Sequence, residues 1–76
     1  MTPGMKGAIS GLEARKKYDR YIREWATKAK EAVSKKDIND PDYEEFVAYV
    51  DDIVYNLNRV NEDIDALLDM LIHSEE

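Results

Sequence analysis

Between Tyr43 and Leu71 the apolar residues recur in alternating steps of three and four: Tyr43, Phe46, Val50, Ile53, Leu57, Val60, Ile64, Leu67 and Leu71. This is the a/d signature of a heptad helix. With Tyr43 at position a, the e positions add Val47, Val54 and Leu68, interrupted only by Asn61. An a/d/e stripe is wider than the seam of a two-stranded coiled coil and calls for more than one neighbouring helix.

A weaker pattern of the same kind precedes it. Tyr18, Ile22, Trp25, Ala29 and Ala32 follow Leu12 at helical spacing, with Ala26 and Val33 beside them. That spacing predicts a first helix whose apolar face passes from aromatic to small residues, with Tyr18 and Trp25 in the core. Ser10-Gly11-Leu12-Glu13 fits a capping box, in which the serine hydroxyl and the glutamate carboxylate satisfy each other's free backbone amides. The helix is therefore expected over about 11–35. Residues 1–9, with Pro3, Gly4 and Gly7, read as a flexible arm, and 10–76 as one helical domain.

Asp37-Ile38-Asn39-Asp40-Pro41-Asp42 separates the two patterns. Asp40 is the expected N-cap and Pro41 suits the first helical position, whose amide has no acceptor within the helix. No glycine or proline follows, so the second helix is expected over about 41–73. A connection this short makes an antiparallel αα-hairpin, an all-α fold. On these bounds helix 2 outruns helix 1 by roughly 12 Å. Its apolar end, Ala66 to Ile72, is then left for the arm or another polypeptide to cover. Because one helix neighbour cannot cover the a/d/e stripe, assembly into a helical bundle is the expected outcome, as a homodimer or with a helical partner.

Length and charge sharpen this picture. A chain of 76 residues supports one small core, and the absence of cysteine removes disulfides and thiolate metal sites as supports. No signal peptide or membrane span is readable, so a soluble, cytoplasmic protein with no membrane role is expected. The net charge of −6 is the difference of two unlike halves. Residues 1–36 carry ten Lys/Arg against four acids, and residues 37–76 carry Arg59 against thirteen acids. A basic helix beside an acidic one favours their mutual pairing over self-pairing of either.

Little of the chain suggests chemistry. Arg15, Lys16, Arg20, Arg23 and Lys30 offer a nucleic-acid contact through helix 1. Against it, Glu13/Lys17, Asp19/Arg23, Glu24/Lys28 and Glu31/Lys35 have the spacing of intrahelical ion pairs. The acids of helix 2, including Asp51, Asp52, Glu62, Asp65 and Asp69, offer a nucleic-acid mimic instead. Asp65, Asp69 and His73 lie on one face, but a di-metal bundle needs Glu-x-x-His motifs that are missing; an Asp69–His73 surface pair explains them. With no cysteine and a single histidine, nucleophilic catalysis is not expected, nor is a cofactor.

In length and in its proline-bearing turn the chain resembles several classes of small helical hairpin: plasmid RNA-regulatory hairpins that dimerise, type III secretion needle subunits and their chaperones, and secreted WXG hairpins. The WXG class is disfavoured, because Trp25 lies mid-helix and the turn lacks Trp-x-Gly. The function expected is a non-enzymatic protein–protein interaction or assembly module. Its candidate contacts are Val47, Val54, Leu67, Leu68, Met70, Leu71 and Ile72, with Tyr55 and Arg59 on the outer face as a second partner contact.

Overall fold

A computed structural model describes residues 2–74 and consists of two helices, α1 (Pro3–Ala32) and α2 (Asp40–His73). They pack antiparallel as a hairpin, a rod of 56 × 15 × 14 Å. The all-α hairpin agrees with the sequence reading, but α1 starts about two turns earlier than the Ser10 capping box implied. Thr2 is the N-cap, its hydroxyl oxygen accepting from the Met5 amide at 3.1 Å, and Pro3 follows at the start of the helix. Ser10 lies within α1, and residues 3–9 are helical rather than a separate arm. Gly4, Gly7 and Gly11 each cost helix propensity of about 1 kcal/mol relative to alanine. Met5, Ile9 and Leu12 are half-buried along the same stretch, and this burial offsets part of that cost.

The extension changes the overhang. With 30 residues in α1 and 34 in α2 the helices nearly match. Leu68 is buried and Leu71 half-buried, whereas Leu67, Met70 and Ile72 stay exposed. The end of α2 is thus partly covered by the N-terminal turns of α1.

Only part of the wide stripe on α2 is buried. Val50, Leu57 and Ile64 at a positions and Leu68 at e form the core, flanked by half-buried Tyr43, Val47 and Val54. The d positions Ile53, Val60 and Leu67 are exposed. On α1 the inward line is Leu12, Lys16, Asp19, Arg23 and Ala26, continued beyond the helix by the half-buried C-cap Val33, with Asp19 fully buried. Tyr18 and Trp25 are accordingly not core residues: they are 55% and 58% exposed. At 100° per residue Tyr18 sits a quarter-turn from Asp19, and the helix turns the Asp19 side toward α2.

Three side-chain ties cross between the helices: Lys16 to Asp65, Arg23 to Asn58 and Lys30 to Asp51. They step by seven residues on both helices in opposite senses, so a single register holds along the rod. Among the described residues none of the four expected pairs on α1 forms an ion pair; Asp19 instead accepts from Arg15 Nε at 2.7 Å. The seam is polar at its middle. Asp19 Oδ2, Arg23 Nε and Asn61 Oδ1 are buried there without a hydrogen-bond partner. Such groups add little stability, but misaligned pairings would strand them further, which favours one register.

The connection is held by its own side chains. Asp37 Oδ2 accepts from the Ser34 amide at 2.9 Å and from its hydroxyl at 3.0 Å, and the Ser34 hydroxyl oxygen accepts from the Lys36 amide. Asn39, one residue before the expected Asp40, caps α2 without a side-chain bond. The Ser34 bonds hold the Asp37 carboxyl below its ordinary value of 3.8. An unfolded chain binds that proton more readily, so this contribution is present above about pH 4 and disappears as the pH falls through the folded-state value.

Two predictions follow from this architecture. In thermal unfolding, Leu57→Ala should lose about 2–5 kcal/mol, whereas Asp19→Leu should keep or raise the Tm while adding a second set of amide resonances from slipped pairings. An equal loss in both variants would contradict a polar layer that serves register rather than stability. In an NMR titration the Asp37 carboxyl should show a midpoint below 3.8 that moves part of the way upward in Ser34→Ala, which keeps the amide bond and loses the hydroxyl bond; an unmoved midpoint would remove the Ser34 hydroxyl as a cause.

Candidate interaction surface

The three cross-helix ties define one flank of the hairpin. Lys16 and Arg23 form one edge of the inward line of α1, with Lys30 on the same side, and Asn58, Asp65 and Asp51 lie to the same side of α2. At 100° per residue, Tyr18, Ile22 and Trp25 fall on the other side of α1. By the same geometry Tyr49, Ile53, Val60 and Leu67 fall on the other side of α2. The hairpin therefore has a polar flank and an apolar one.

The apolar flank is substantial. Tyr18, Tyr21, Trp25, Tyr49, Ile53, Val60, Leu67 and Met70 are all exposed, Met70 at 70%. Tyr21 and Trp25, one turn apart, stack with centroids 6.2 Å apart, and Arg20 lies 6.0 Å from the Tyr21 ring. The stacked aromatics present a firm, broad ridge on α1 beside the aliphatic d row of α2. Tyr49 donates its hydroxyl to Glu45, and that hydrogen bond, helped by the carboxylate's negative charge, raises the phenol's pKa above its ordinary value.

The residues expected from the sequence to bind a partner divide between the two sides. Val47, Val54, Leu68 and Leu71 are wholly or partly buried in the monomer, so they belong to the hairpin's own seam. Leu67, Met70 and Ile72 remain exposed, of which Leu67 and Met70 continue the apolar flank. Tyr55, 65% exposed, lines a shallow depression of about 420 Å³ with Asn58, Arg59 and Glu62. Tyr18 and Trp25, assigned to the core by periodicity, join the surface. Their position relative to Asp19 was the signal, and it was obscured because a charged residue is not expected at the centre of a helix face.

The candidate nucleic-acid contacts are largely engaged within the chain. Arg15 pairs with Asp19, Lys16 with Asp65, Lys30 with Asp51, and Arg23 donates to Asn58. The grooves beside them, about 480 and 510 Å³, are open; one sets Arg20, Arg23 and Lys28 against Glu24 and the other Lys16, Lys17, Arg20 and Arg23 against Glu13, so each carries more cations than acids. Lys16, Arg23 and Lys30 also sit beside the acids of α2, which lowers the positive potential a phosphate backbone would meet.

His73 Nδ1 lies 3.3 Å from Asp69, the surface pair expected there. Among the described residues no group of three or more His, Asp or Glu side chains is placed to hold a metal ion. Nor is any described helix long and apolar enough to cross a membrane. Comparison of the chain with protein-family models, with curated proteins and with solved structures finds no match.

Proposed function

We propose that the protein is a non-enzymatic interaction module whose working surface is the apolar flank. The observation that supports this reading is the continuity of Tyr18, Tyr21 and Trp25 with Ile53, Val60 and Leu67 along one side of a rod that cannot bury them itself. A small monomer seldom exposes a contiguous apolar area of this extent, and such areas mark association sites. Large aromatic side chains are also the usual anchors of protein interfaces, because one residue removes much surface from water with few torsions to immobilise. The surface is straight, helical and about as long as the molecule, so the partner that fits it best is another helix or helix pair.

Catalysis has no comparable support. The grooves are open and the histidine is an exposed one beside a single aspartate. The flanking polar side makes a soluble back for an interaction face.

The test places a photo-reactive amino acid at Val60 on the apolar flank or at Glu62 on the outer acidic side, in cells of the organism that carries the sequence. A discrete adduct from position 60 and not from position 62 is expected, whether with another copy or with a different protein. Diffuse labelling from both positions, or no adduct from position 60, would contradict the assignment of this flank.

A further inference from the structure

From the charge along its two edges we infer that the occupant of the apolar flank is a basic amphipathic helix of another protein, its lysines or arginines running beside α2 and its apolar stripe lying on the aromatic ridge of α1. The inference rests on the docking function proposed for that flank and adds the chemistry of the partner.

The edges differ. At 100° per residue Glu45, Asp52 and Asp63 fall just outside the d row of Ile53, Val60 and Leu67, and all three are exposed. Among the described residues none of these acids has an ion-pair partner; Glu45 accepts only the Tyr49 hydroxyl. The edge on α1 is uncharged, with Gly11, Ala14 and Ala32 continuing the line of Tyr18 and Trp25. The cation on this side of α1 is Arg15, and Asp19 holds it at 2.7 Å. Lys17 and Lys28 line the grooves of the opposite flank with Arg20 and Arg23, and Arg59 lines the depression shared with Tyr55 and Glu62. The acids beside the flank therefore receive no counter-charge from the chain that carries them.

That asymmetry decides between occupants. A second copy laid α2 on α2 would set acids against acids, and one laid α1 on α2 would set them against an uncharged edge; neither arrangement supplies a cation. A helix with Lys or Arg beside its apolar stripe supplies one at each acid. Asp52 and Asp63 share one edge of α2 about 16 Å apart, so a single straight helix reaches both. Along α1 the same helix meets Tyr18 and Trp25, 55% and 58% exposed, whose rings take either an aliphatic side chain or a cation on their faces.

The chain's single tryptophan, Trp25, stands on this flank and reports its coverage by a blue-shifted emission. The probes are two synthetic tryptophan-free helices of about 20 residues, roughly 30 Å long, with leucine at a and d and either lysine or glutamate at e and g. Titrated into the whole chain at low salt, the lysine helix should shift the Trp25 emission and bind at least about fivefold tighter than the glutamate helix. Because a net charge of −6 attracts any cation, two variants of equal charge change locate the effect. Asp52→Lys with Asp63→Lys should bring the two helices to within about twofold of each other, whereas Glu62→Lys with Asp69→Lys, on the outer acidic side, should keep most of the preference. All four positions are exposed, so circular dichroism should show wild-type helicity in both variants. Equal binding of the two helices to the wild type, or an equal response of the two variants, would overturn the basic partner and leave the docking function standing. Emission that shifts with protein concentration alone and ignores both helices would make a second copy the occupant and overturn it as well. If neither a helix nor concentration moves the emission, the basic partner is overturned; a discrete Val60 adduct then preserves the docking function, and its absence removes both.

Discussion

Two helices touch along a single line, and every other feature of this molecule follows from that restriction. A helix with apolar residues at a, d and e offers a stripe of 100° or more, and one neighbour covers only part of it. Here α1 covers the a and e rows, burying Val50, Leu57, Ile64 and Leu68. The d row is then left facing solvent, with Ile53, Val60 and Leu67 exposed. No rotation of α2 would cure this. Turning the d row inward would expose Val54 and Leu68 instead, exchanging one uncovered flank for another.

What selects the observed rotation is the polar content of the opposing face. α1 has few large aliphatic residues to offer: Leu12, Ile22 and Val33 are separated by alanines and by Lys16, Asp19 and Arg23. Facing α2 with this line lets Lys16, Arg23 and Lys30 reach Asp65, Asn58 and Asp51. Facing it with Tyr18 and Trp25 would have buried more apolar surface but left those ties unmade. The seam therefore combines modest hydrophobic gain with a strongly specified register, and the large aromatics are displaced to the outside. Asp19 shows the cost of that arrangement, since one of its buried carboxylate oxygens has no partner.

The helices and their turn were legible in the sequence because their signals are local. The α2 heptads, Pro41 and the short connection fix a hairpin with little ambiguity. The start of α1 is less legible although its signal is of the same kind: Thr2-Pro3 is a cap residue followed by a proline, as Asn39, Asp40 and Pro41 are for α2. Gly4, Gly7 and Gly11 obscure it, since their intrinsic penalty is visible in sequence whereas the partial burial of Met5 and Ile9 is not. The surface was harder. Which part of a three-row stripe turns inward depends on the facing helix, and that choice was made by cross-helix ties involving residues about 20 to 50 positions apart. Leu67 and Met70 are exposed, and so are Tyr18 and Trp25, which hydrophobic spacing alone would turn inward.

The same asymmetry bears on why a chain so small would keep its largest side chains wet. If stability were the only demand, replacing Trp25 and Tyr18 by polar helix formers would cost the hairpin little, because neither contributes to the buried core. Exposed aromatic and aliphatic groups also carry a hazard, since they promote indiscriminate association. On the docking role proposed above, a flank that is costly to expose and dispensable to the hairpin's own fold is kept because a partner covers it.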